Sequence, residues 1–127
     1  MIVADTHAFV WWISDPDRLS APARDAFTDA VVIGLPAIAC WEIALRATRR
    51  RIAIDEPPLD WLYQVTALPR VAVLPLTIDV AAAAANLRDP IRDPADRLIV
   101  ATALQARMPL VTKDHKIIAA GIVPTIW

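Results

Sequence analysis

Four short runs of mostly apolar residues, "MIVAD", "VVIGL", "RVAVLPL" and "MPLVT", are separated along the chain by segments that carry helical punctuation. An apolar run this short, bounded by turn signals, is what a strand buried on both faces requires. Helix-length segments between such strands rule out tight hairpins, so the strands pair in parallel and their connections cover both faces of the sheet. The pattern therefore predicts an α/β sandwich.

The intervening segments support that reading. "THAFVWWIS" spaces apolar residues as a helix does, up to the turn "DPDR". Ser20 is expected as the N-cap of "APARDAFTDA", with Pro22 in its first turn. Pro36 is expected to begin a helix through "AIACWEIALRATRR", ending in Arg46, Arg49, Arg50 and Arg51, where cations suit the helix dipole. "DEPPLDWLYQVTAL" reads as a helix begun by prolines, and "TIDVAAAAANL" as an Ala-rich helix capped by Thr77 or Asp79. A polar loop from Arg88 to Pro94 leads into "DPADRLIVATA", with Asp93 as N-cap and Pro94 at the first helical position. "HKIIAA" is a short helix closed by Gly121, and "IVPTIW" a terminal extension or an edge strand.

At 127 residues the chain suits one domain, residues 1–127. Hydrophobic residues make up 57%, yet no apolar run reaches the ~18–20 residues of a bilayer span, so no membrane association is expected. The start "MIVAD" lacks the basic region of a signal peptide, and one cysteine, Cys40, allows no internal disulfide, which together suggest a cytoplasmic protein. A formal net charge of −1 argues against a generic polyanion binder. If four carboxylates are committed to metal, however, 13 basic side chains face 10 remaining acidic ones.

The acids carry the chemistry. In an open α/β sheet the ligand crevice lies beyond the carboxyl ends of the strands, and Asp5 and Asp114 follow the first and fourth strands. Asp96 falls in the first turn of its helix and Glu42 one turn into the helix after the second strand. Four elements can thus direct a carboxylate at one point, and such a cluster needs a cation to remain ionised. Oxygen-only ligands favour Mg²⁺, or Mn²⁺, over zinc, and carboxylate-held Mg²⁺ serves phosphoryl transfer.

The bland readings are concrete too. Asp93 reads as a helix start rather than a ligand, Glu42 has Arg46 one turn away as a surface ion-pair partner, and Asp114 is placed to cap "HKIIAA". His7 and His115 are expected to bond locally, and the five tryptophans to serve as core or interface anchors, with base stacking open to one of them. The arginines from Arg46 to Arg51 are either a solvated helix end or, beside a metal site, a contact for a nucleic-acid backbone or a protein partner.

The ordered set "VADTHAFVWW", "AIACWEIALR", "DPADRLIVATA" and "LVTKD" resembles the motifs of PIN-domain ribonucleases, most closely the VapC-like toxins of toxin–antitoxin pairs, over nearly the whole chain. The resemblance implies a PIN-like three-layer α/β/α fold, Mg²⁺-dependent cleavage of RNA and inhibition by a cognate antitoxin. It implies that Asp5, Asp96 and Asp114 hold Mg²⁺ and that Glu42 binds a second ion or orients water. Thr6, Thr112 and Arg46 become candidate nucleic-acid contacts, the threonine hydroxyls either fixing carboxylate rotamers or touching phosphate. Exposed tryptophans in so apolar a chain suggest a homodimer or an antitoxin-covered surface. The rival is a receiver-like regulatory module, also a small α/β domain with strand-end acids. It needs an adjacent acid pair after the first strand and an Asp ending the third, whereas "ADTH" has one acid and "VAVLPL" none. A haloacid-dehalogenase-like phosphatase wants a second Asp two residues beyond Asp5, where His7 stands.

Overall fold

A computed structural model describes residues 1–88 and 91–127. β1 (Ile2–Ala4), β2 (Ile33–Pro36), β3 (Val71–Leu74), β4 (Leu110–Val111) and β5 (Thr125–Ile126) form one sheet in the order β3-β2-β1-β4-β5. Every neighbouring pair is parallel, with Val3 opposite both Gly34 and Leu110. The helices are α1 (Thr6–Ser14), α2 (Ala21–Asp29), α3 (Ala37–Thr48), α4 (Pro58–Thr66), α5 (Ile78–Asn86), α6 (Pro94–Ala106) and α7 (His115–Ala120), with a 3-10 turn at Pro16–Arg18.

Strand alternation sorts the core into two layers. Ile2, Ala4, Ile33, Leu35 and Val111 meet Phe9, Phe27, Ile43 and Trp61 from the first four helices. From the opposite face, Val3 and Leu110 meet Ile99, Val100 and Ala103 of α6 and Ile117 of α7. Phe27 is fully buried and lies parallel to Trp12 at 5.2 Å, an offset aromatic contact added to burial worth ~1.5–3 kcal/mol. The Ala-rich α5 covers α6 through Val80 and Ala84 against Ala101, small side chains that permit a close approach.

The local expectations hold with shifted boundaries. Ser20 caps α2 through Ala23 N–H, and of the two candidates at α5 it is Thr77 that accepts from Val80 N–H. Asp93 caps α6 with Pro94 at its first position, Gly121 closes α7 at φ 61°, and "IVPTIW" contains the edge strand β5. Pro36 ends β2 instead of beginning α3, because the parallel pairing with Leu74 carries the strand one residue further. Three of the four expected helix-ending arginines lie beyond the helix. α3 stops at Thr48, Arg49 is its C-cap, and Arg50 turns the chain at φ 55°. β3 is not buried on both faces: it is the sheet edge, and Val73 is 45% exposed. The loop expected from Arg88 to Pro94 falls in part on Asp89 and Pro90, which lie outside the described residues.

Two arginines close helices distant in sequence. A helix leaves its last carbonyls without intrahelical partners. Arg70 Nη1 donates to the carbonyls of Phe27, Thr28 and Ala30 at the end of α2. Arg97, in the first turns of α6, donates to Ala84, Ala85 and Leu87 at the end of α5 and to Ile91.

Candidate active site

The chain leaves β1 toward β2 and β3, then returns to place β4 on the other side of β1. The crevice beyond the carboxyl ends of β1 and β4 is therefore the topological switch point, where open α/β sheets bind ligands. A cavity of about 350 Å³ opens there, and Asp5, Glu42, Asp96 and Asp114 all line it. Asp93, Thr6, His7, Trp11, Arg18, Arg46 and Lys113 complete the wall.

Each acid arrives by a different local route. Asp5 follows β1 and caps α1, its Oδ1 accepting from Thr6 N–H at 2.7 Å and its Oδ2 from Thr112 Oγ1 at 2.6 Å. Glu42, on α3, is buried; its Oε1 accepts from Thr6 Oγ1 at 2.8 Å and its Oε2 from Arg46 at 3.0 Å. Asp114 caps α7, with Oδ1 accepting from Lys116 and Ile117 N–H, and its own N–H donates to Thr112 Oγ1. Asp96 stands in the first turn of α6, and its carboxylate accepts no hydrogen bond among the described residues. Three helix N-termini, those of α1, α6 and α7, thus face the cavity, and their dipoles favour negative charge there.

Those dipoles do not fully offset the crowding. Burial raises the Asp5 carboxyl from 3.8 to about 6, opposed by the bonds from Thr112 and Thr6 and reinforced by Glu42 and Asp114. Asp96 is raised to about 7, first by burial and then by the charges of Asp93, Asp5, Asp114 and Glu42. Both acids are held partly protonated near neutrality unless a cation joins them.

The donor set suits a hard divalent ion, since every acid offers only carboxylate oxygen. Among the described residues no group of three His, Cys, Asp or Glu side chains is placed to hold a metal ion. Mg²⁺ does not require such a group, because it retains several waters and takes one or two carboxylates directly. An open crevice with an unbonded carboxylate at Asp96 meets that demand.

The sequence-predicted residues converge, with changes of role. Thr6 and Thr112 are 1% and 0% exposed and spend their hydroxyls on Glu42 and Asp5. Of the two roles expected for these hydroxyls, the bonds made are those that fix carboxylate rotamers. The Glu42–Arg46 pair is real but not a surface pair, since Glu42 is 7% exposed, and Arg46 also reaches His7 Nε2 at 3.3 Å. Burial, then the Arg46 charge, push the His7 pKa down, so His7 accepts that bond as a neutral ring. Asp93 both caps α6 and lines the cavity. Arg18 and Lys113 join the wall without a sequence signal of their own: "DPDR" reads only as a turn, although Lys113 lies between Thr112 and Asp114 in "LVTKD". Of the tryptophans, Trp11 and Trp61 are buried and Trp41 is 55% exposed.

A sequence profile of the PIN domain matches residues 2–122. The chain is 38% identical over 117 residues to Ribonuclease VapC22 of Mycobacterium tuberculosis (strain ATCC 25618 / H37Rv), covering 91% of this chain and 88% of that protein. In fold it is similar to VapBC2 from Rickettsia felis, crystallised bound to a DNA fragment from their promoter, with a TM-score of 0.73 at 15% identity over 98% and 97% of the two chains. A second similar fold is that of Mycobacterium tuberculosis VapC20, described as a Sarcin-Ricin loop cleaving toxin, with a TM-score of 0.72 at 16% identity over 97% of both chains.

Proposed function

The chain belongs to the PIN-domain family, in its VapC group, and from that premise we propose that it is a Mg²⁺-dependent endoribonuclease acting as the toxin of a toxin–antitoxin pair. The observation that carries the chemistry is the convergence of four carboxylates on one switch-point cavity, with Asp96 raised to about 7 and its carboxylate free of hydrogen bonds among the described residues. The fold's likeness to toxin–antitoxin complexes supports a protein antitoxin as inhibitor.

Asp5 and Asp96 are the residues that would hold Mg²⁺, with Asp114 beside them and Glu42 directed at the same cavity. When bound, the ion supplies charge neutralisation at the scissile phosphate and activates water for attack. Thr112 and the Thr6 N–H keep Asp5 in one rotamer, and Thr6 with Arg46 does the same for Glu42. Such fixed carboxylates need little reorganisation as charge develops. A receiver-like module gains no support: β3 ends at Leu74 on the sheet edge, separated from β1 by β2.

Incubation of purified protein with structured RNAs should give discrete internal cleavage with Mg²⁺ and none with EDTA. Millimolar Mg²⁺ should also raise the melting temperature by several degrees near pH 7.5, as expected when a ligand binds only the folded state. Cleavage that survives EDTA, or a melting temperature unmoved by Mg²⁺, would contradict the assignment.

A further inference from the structure

Among the residues that line the same cavity as the carboxylates, two cations meet one indole. The Arg18 guanidinium lies 4.4 Å from the centre of the Trp11 ring and Lys113 Nζ lies 5.3 Å from it. Both distances are within cation–π range. Trp11 is itself immobilised, with His7 at 5.6 Å and Trp127 at 5.9 Å, and is only 9% exposed. The two cations remain exposed. They come from separate elements: Arg18 ends the 3-10 turn after α1, and Lys113 sits in the loop between β4 and α7, flanked by Thr112 and Asp114.

Their charge is not spent within the protein. Among the described residues the ion pair is Glu42 with Arg46, and neither Arg18 nor Lys113 comes within 4.0 Å of a carboxylate, although Asp5, Asp93, Asp96 and Asp114 line the same cavity. Two cations without a carboxylate partner and the four acids therefore line one opening. A nucleic-acid strand has the matching pattern, a row of like-charged phosphates. With one phosphate at the carboxylates, a neighbouring phosphate meets two cations that the indole holds and no carboxylate pairs. An indole that holds two cations has little face left for a base, so Trp11 acts as the mount and not as a stacking platform.

We propose that Arg18 and Lys113, mounted on Trp11, form a backbone-phosphate subsite that anchors the strand beside the scissile phosphate. The inference rests on the nuclease reading above and adds the residues that set substrate affinity. A fork-shaped guanidinium suits phosphate geometry and an ammonium acts as a point charge. Neither reads a base, so the subsite contributes affinity and register but no sequence preference.

Binding of a fluorescent single-stranded RNA to the full chain in EDTA, followed by anisotropy over a salt series, tests this without cleavage. Arg18→Ala and Lys113→Ala should each weaken binding about tenfold and lower the slope of log K against log salt by about 0.7, the increment expected on a single strand for each phosphate no longer neutralised. Arg18→Lys should restore the slope, and Trp11→Phe should weaken binding without changing net charge. Arg24→Gln, which removes an exposed charge on α2 away from the cavity, should leave slope and affinity unchanged. A wild-type chain that binds RNA with a slope indifferent to Arg18 and Lys113 overturns the subsite alone, as does an equal loss in Arg24→Gln. A wild-type chain that binds no RNA in EDTA also overturns the subsite alone, since the nuclease reading is tested separately by cleavage with Mg²⁺.

Discussion

Asp96→Asn protein is expected to cleave RNA ~10²–10³-fold more slowly than the parent and yet to melt at a higher temperature in metal-free buffer. The activity loss follows from removing a carboxylate that neutralises or positions charge at the reacting centre, where single deletions of electrostatic groups cost ~10²–10³. The gain in stability follows from the sign of the pKa shifts. Asp5 and Asp96 are raised from 3.8 to about 6 and about 7, so the folded state binds their protons more tightly than the unfolded chain does. Their contribution to stability is fully present below pH 4 and is lost as pH rises through 6 to 7. The shift corresponds to on the order of 3 kcal/mol for buried Asp5, and to less than its nominal value for Asp96, whose half-exposed charge is screened by solvent. Asp5→Asn and Asp96→Asn should each remove part of this slope, and Mg²⁺ should flatten it in the parent by stabilising the ionised pair. Melting curves between pH 4 and 8, with EDTA and with Mg²⁺, report all of these. An Asn variant that cleaves normally, or a parent whose metal-free stability rises from pH 5 to 7.5 as much as that of both Asn variants, would remove the basis for the site.

Arg97→Ala should be the most destabilising single change outside the two apolar layers, by about 3–5 kcal/mol of the ~5–15 available. The guanidinium donates to four backbone carbonyls, those of Ala84, Ala85, Leu87 and Ile91. Bonds from a charged donor are worth ~1.5–3 kcal/mol each but are not additive, and truncation leaves partly buried carbonyls unpaired. Lysine should not rescue the loss, because one ammonium cannot span a fan of acceptors that the planar fork reaches at once. Since Arg97 adjoins Asp96, the variant should also lose cleavage under conditions where it remains folded. Urea denaturation gives the energy, and a loss below 1 kcal/mol, or full recovery in Arg97→Lys, would contradict this account.

The contrast between these two residues shows what a sequence can disclose. Asp96 is visible because its neighbours explain it: Asp93 and Pro94 mark a helix start, and the register of "DPADRLIVATA" puts the second acid in the first turn. Asp5, Asp114 and Glu42 are visible for the same reason, each a charged residue beside an apolar strand or helix face. Arg97 and Arg70 carry no such mark. Their partners lie 6–13 and 40–43 positions away, and nothing in the spacing of an arginine announces which helix end it will close. The edge position of β3 is hidden likewise, since "RVAVLPL" is as apolar as a central strand and only the sheet order exposes Val73. The threonines stand out by their adjacency to the acids, but sequence leaves two duties open for their hydroxyls and does not show their burial against the carboxylates.

The bond from Thr112 to Asp5 spans 107 positions, and it sets a schedule as well as a geometry. Asp5 is synthesised 107 residues before Thr112, and its second oxygen has no partner until β4 has inserted beside β1. Asp114, the last of the four acids, follows two residues later. A chain that has not yet reached β4 therefore carries an incomplete set of carboxylates. A fragment that ends before Thr112 is expected to cleave no RNA.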